Sequence, residues 1–93
     1  MSDRAVHVLI AGRVQGIGYR AWTEEQATAR RLAGWVRNRR NGTVEAVFSG
    51  EAADVDAIVA ACEQGPLGAR VTSVVPSEYQ GPPLSRFTVL ATE

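Results

Sequence analysis

Near the middle of the chain, "GWVRNRRNGTVEAVFSG" sets an Asn-Gly pair between two segments rich in β-branched and aromatic residues. Asn41-Gly42 is a strong short-range hairpin signal, because both central positions of a type I′ turn want positive φ. The expectation is two antiparallel neighbours, "LAGWVRN" and "TVEAVFSG", with Val44, Ala46 and Phe48 alternating with Glu45 and Val47. An isolated hairpin is marginal in water, so its flanks decide the fold.

Upstream, Val6, Val8, Ile10 and Val14 share one parity and His7 and Arg13 the other, as in a half-buried strand. His7 then sits on the less buried face as a plain surface residue. After Gly18 the pattern turns helical in "YRAWTEEQATARR", with Glu24 and Glu25 early and Arg30 and Arg31 late, as the helix dipole prefers. Its apolar stripe is ambiguous: Trp22, Ala29 and Ala33 fit one face, Thr23 and Ala27 another. Downstream, "EAADVDAIVAACEQG" places Val55, Ile58, Val59 and Cys62 at i, i+3, i+4 and i+7, and Gly65 and Pro66 end that helix. Cys62 lies on the stripe and reads as a small buried hydrophobe. "ARVTSVVPSEY" reads as a strand broken or bent near Pro76, "QGPPLS" as a loop, and "RFTVLA" as a short last strand with Phe87 and Val89 on one face.

The order is β-α-β-β-α-β with a short extra C-terminal strand. Two helices on one face of an antiparallel sheet make a ferredoxin-like α+β sandwich. At 93 residues the expectation is a single domain over 1–93. No apolar run is long enough for a membrane span, and "MSDRAVHVLIAGR" lacks the apolar region and cleavage site of a signal peptide, so the expected place is the cytoplasm. One cysteine allows neither an internal disulfide nor a metal cluster of its own.

The net charge is zero, but residues 1–46 carry eight arginines against four acids and residues 47–93 carry two against six. The first half therefore offers a positive field to a small anion. Nucleic acid is disfavoured, because a neutral domain lacks the usual basic footprint.

Between the first strand and the first helix lies "GRVQGIGYR". Backbone N–H groups at a helix start have no helical acceptor and carry the positive end of the dipole. Gly16 and Gly18 let the backbone curl so that several N–H groups form an anion nest. Arg20, in the first helical turn, can reach the same anion with its guanidinium. The ligand expected here is phosphate-like. A Rossmann fingerprint fails at Ala21, and a P-loop fails because the chain has no lysine. A tight structural turn explains the glycines as well as anion binding does. Asn38, at the end of the second strand, can lie near the mouth of the loop and hold a water in a set direction; it can equally be an ordinary strand-end residue. Arg37 has the opposite parity, and Gly34 and Trp35 read as packing residues.

"GRVQGIGYR" followed by "GWVRNRRNGTVE" resembles the acylphosphatase family, in order and in separation, and the likeness of layout covers nearly the whole chain. The resemblance implies hydrolysis of a carboxylic–phosphoric anhydride, an acyl phosphate, to a carboxylate and inorganic phosphate. It implies that Arg20 binds the substrate, that Asn38 positions the attacking water, and that the backbone of Gln15, Gly16, Ile17, Gly18 and Tyr19 cradles the phosphate. It further implies no metal and no organic cofactor, inorganic phosphate as product and competitive inhibitor, no nucleic-acid or membrane partner, and a monomer. The chain departs from the family pattern at Arg30-Arg31-Leu32, where a Leu-Gly-Leu-like helix end is usual, and in its last strand, which ends "RFTVLATE". Two other readings stay open: a non-catalytic anion-binding or regulatory module using the same loop, and a ferredoxin-like RNA-binding module, which would want more exposed aromatics than 6% of residues supply.

Overall fold

In the computed structural model, which describes residues 2–93, the elements run β1 (Asp3–Arg13), α1 (Tyr19–Ala29), β2 (Ala33–Asn38), β3 (Val44–Glu51), α2 (Ala52–Cys62), β4 (Arg70–Glu78) and β5 (Phe87–Val89). The sheet order is β4-β1-β3-β2-β5. α1 links β1 to β2 with β3 between them, and α2 links β3 to β4 with β1 between them. The four long strands pair antiparallel. β5 joins β2 in parallel, so the five-stranded sheet is mixed rather than wholly antiparallel.

The alternation in β1 and β3 sorts the side chains as expected. Val6, Val8, Ile10, Val44, Ala46 and Phe48 are all buried, and they meet Val55, Ile58 and Cys62 of α2 in one core. Each such Val, Ile or Phe side chain is worth about 1.5–3 kcal/mol of burial. The ambiguous stripe of α1 resolves onto Tyr19, Thr23 and Ala27, the buried residues of that helix. Thr23 can serve as a core residue because its hydroxyl donates to the Tyr19 carbonyl at 2.8 Å, so no polar atom is left unpaired. Trp22 packs at the margin of the core, edge-on to Tyr19.

Three local expectations need correction. The hairpin forms, but its turn is closed by the Gly42 N–H donating to the Arg39 carbonyl at 3.1 Å, and only Gly42 has positive φ. The loop is thus a three-residue connection ending in a left-handed glycine rather than type I′. Asn41 contributes through its side chain, accepting from the Thr43 N–H and hydroxyl. β4 runs unbroken through Pro76, which an edge strand tolerates because one side of its backbone faces no partner strand. The irregularity in that pair lies instead at Ala11/Gly12 of β1. Finally, α1 has no acid in its first turn and no base in its last; Arg30 is the C-cap and Arg31 lies beyond it.

Candidate active site

The loop from Val14 to Gly18 carries the chain from the end of β1 into α1. Gly16 has φ 78° and Gly18 φ 82°, while Gln15 and Ile17 between and before them stay at negative φ. Such alternation of hand is what builds a backbone nest for an anion. A Cβ at either glycine would meet nothing within 4 Å. The left-handed conformation, not crowding, is therefore what calls for glycine there. Gly18 is the N-cap, and no side chain caps the helix. Among the described residues the N–H groups of Gln15, Gly16, Ile17, Gly18 and Tyr19 find no backbone acceptor; the first to bond back is Trp22, to the Gly18 carbonyl at 2.9 Å.

Beside this loop is a cavity of about 440 Å³. Gly16, Gly18, Tyr19, Arg20 and Asn38 all line it, with Val14, Ala21, Glu24 and Val89 completing the wall. The structure thus brings both expected side chains and three of the five loop positions to one space. Gln15 and Ile17 do not line it. Gln15 turns its side chain away, donating from Nε2 to the carbonyls of Arg39 at 2.7 Å and Thr43 at 2.8 Å.

Arg20 is half-buried, and its guanidinium donates to the Leu90 carbonyl at 3.3 Å. That carbonyl belongs to the segment after β5, which continues alongside β2 through bonds from the Leu90 N–H to the Val36 carbonyl and from the Glu93 N–H to the Asn38 carbonyl. The C-terminal segment therefore bonds both residues of the site, Arg20 at its guanidinium and Asn38 at its backbone carbonyl. Asn38 Oδ1 is buried and has no hydrogen-bond partner. An acceptor left so costs about 1–3 kcal/mol, and the residue that carries it is one of those lining this cavity.

Glu24, Val89 and the Leu90 carbonyl were not singled out from the sequence. Glu24 was findable, since it lies one helical turn after Arg20. The Leu90 contact was not, because it depends on the parallel pairing of β5. Among the described residues no three His, Cys, Asp or Glu side chains group as a metal site.

The strongest charge cluster lies elsewhere, on the sheet face opposite the helices. Glu45 there accepts from Arg37 Nε at 2.7 Å and Arg39 Nη1 at 3.3 Å and pairs with His7 at 2.5 Å. Burial alone would raise its carboxyl, but the hydrogen bonds and charges of His7 and Arg37 more than offset that and hold it below its ordinary value. Arg37 also lies 4.9 Å from the Trp35 ring centroid, so it points away from the cavity, as its parity requires.

The acylphosphatase family model matches residues 6–89. An acylphosphatase of Bradyrhizobium diazoefficiens is 57% identical over 81 residues, spanning 87% of this chain and 81% of that one. An acylphosphatase of Rhodopseudomonas palustris is 48% identical, spanning 99% of each. The solved structure of an acylphosphatase from Coxiella burnetii superposes with a TM-score of 0.90 at 32% identity, covering 95% of this chain and 93% of that one. With loop, arginine and asparagine set around one cavity, and with relatives this similar along nearly its whole length, the chain belongs to the acylphosphatase family.

Proposed function

We propose that the chain hydrolyses small acyl phosphates to a carboxylate and inorganic phosphate, with Arg20 and the loop N–H groups holding the phosphoryl group and Asn38 placing the water. The observation that carries this is that Asn38, whose carboxamide has an unpartnered buried acceptor, lines the same cavity as Arg20 and the uncapped start of α1.

The site offers no histidine beside the nucleophile's path, and this substrate needs none. The leaving carboxylate has a conjugate acid with a pKa of roughly 4, so it departs unprotonated. Phosphoryl transfer passes through a loose transition state with little bonding to the nucleophile, so water needs placement more than deprotonation. The Asn38 carboxamide hydrogen-bonds the water and sets its oxygen toward phosphorus. Arg20 and the loop N–H groups, those of Gly16, Gly18 and Tyr19 at the cavity wall first among them, meet the charge on the equatorial oxygens. The phosphate itself takes the proton as the new P–O bond forms and the bond to the carboxylate breaks.

The same proposal covers a single domain over residues 1–93 that works as a monomer in the cytoplasm, without metal or organic cofactor, and that inorganic phosphate inhibits competitively. Replacing Arg20 tests its binding half. Arg20→Ala should lower kcat/KM by about 10²–10³-fold or more and abolish phosphate inhibition together with it. Phosphate inhibition at the wild-type concentration would take Arg20 out of the anion site.

A further inference from the structure

We infer that Gln15 is a positioning residue for the reaction: its side-chain amide locks the phosphate loop to the β2–β3 hairpin and so fixes Asn38 relative to the bound phosphoryl group. The inference rests on the roles given above to the loop and to Asn38.

The site is assembled from two pieces, the loop before α1 and the end of β2 that leads into the hairpin. The loop has two left-handed glycines and no cap, and the hairpin tip turns on a third glycine. In-line attack needs the water and the phosphoryl group held relative to one another to about 0.5 Å. Something must therefore span the pieces. Gln15 Nε2 donates both its protons to the hairpin, to the carbonyls of Arg39 and Thr43. Both partners are pure acceptors, so the orientation of the amide is unambiguous. These two carbonyls also frame the turn, accepting from the Gly42 and Arg39 N–H groups. Asn38 is the residue immediately before Arg39. Among the described residues no other side-chain hydrogen bond joins residues 14–18 to residues 38–43. Arg20 does not depend on Gln15: it is anchored on the Leu90 carbonyl, in the segment that also bonds the Asn38 carbonyl through the Glu93 N–H. Asn38 itself is held in the β2–β3 ladder opposite Val44, so loss of the clamp leaves Arg20 and Asn38 in place and lets the loop, with the phosphoryl group it carries, shift against Asn38.

A double-mutant cycle read by kcat for benzoyl phosphate and by the inhibition constant of inorganic phosphate tests this. Gln15→Met keeps the length of the side chain and removes both donors. In the wild-type background it should lower kcat by about ten- to a hundredfold, the cost of a misplacement on the order of 1 Å, with phosphate inhibition shifted by no more than about threefold. In the Asn38→Ala background it should cost almost nothing more, because the group the loop is held against is gone. A merely structural glutamine would lower the melting temperature and leave kcat of the folded enzyme unchanged. Equal losses in both backgrounds, or phosphate affinity falling as far as kcat, overturn the inference. Wild-type kcat in Asn38→Ala alone is a different failure and overturns the water-positioning role beneath it. Should Gln15→Met not fold, amide exchange in the wild type decides: the Gln15 carboxamide protons should exchange measurably more slowly than those of the exposed Gln64 and Gln80, and equal rates would remove the clamp.

Discussion

Tyr19 contributes its backbone to the phosphate loop and its side chain to the core. Its hydroxyl donates to the Cys62 carbonyl at 2.6 Å, at the end of α2. The last carbonyls of a helix lack helical donors, so the start of one helix closes the end of the other. Burial, first, and the neighbouring Cys62 push the Tyr19 hydroxyl far above its ordinary pKa, which keeps it a donor. Cys62 is likewise pushed up, to about 11, chiefly by burial. It is a neutral core thiol, as its place on the helical stripe indicates. Tyr19→Phe should cost about 1–3 kcal/mol in chemical denaturation, because it strands a buried carbonyl. It should leave phosphate inhibition unchanged, since the loop backbone is untouched. That Arg20 and Asn38 would come to one space was legible in the sequence, from residue type and position in their elements. The side-chain use of Gln15 was not. A glutamine bonding two backbone carbonyls leaves no pattern in residue types, because carbonyls belong to every residue.

At the scale of elements, the C-terminus of α1 runs into Arg30-Arg31-Leu32. The Arg31 N–H donates to the Thr28 carbonyl at 3.0 Å and the Leu32 N–H to the Ala27 carbonyl at 2.9 Å. This is the Schellman arrangement, which places Arg31 at the left-handed position after the cap, and its φ is 58°. It is the only non-glycine residue with positive φ among those described. A side chain there costs about 1–2 kcal/mol, from which the extra unfolded-state entropy of glycine is subtracted. Arg31→Gly should therefore stabilise the fold by up to about 1 kcal/mol, measured as a rise in the denaturation midpoint with an unchanged slope. Strands and helices were readable because their burial follows periods of two and 3.6. Turn type and pairing direction were not. Asn-Gly announces a hairpin without saying which of its turns forms, and three residues of β5 carry no mark of the strand direction they will follow.

Across the whole molecule, chemistry and stability sit at different places on the sheet. The cavity lies at the end of β2 under α1, while the Glu45 cluster ties β1, β2 and β3 together on the opposite face. Because folding lowers the Glu45 pKa, its contribution is fully present above its ordinary value of 4.5 and is lost as pH falls through the folded value. Glu45→Gln should therefore flatten the acid limb of the stability profile below about pH 4.5, seen by denaturation at a series of pH values. A limb as steep as the wild type's would assign acid sensitivity to other carboxylates. The activity itself turns on whether one asparagine, rather than an acid or a base, directs the water. Benzoyl phosphate hydrolysis by wild type and Asn38→Ala, each with and without a chelator and with phosphate inhibition measured in parallel, tests this most directly. The expected result is chelator-resistant turnover whose kcat falls about 10²–10³-fold in Asn38→Ala with phosphate inhibition nearly unchanged. A folded wild type that binds phosphate but does not turn over, or an Asn38→Ala enzyme as fast as wild type, would contradict it.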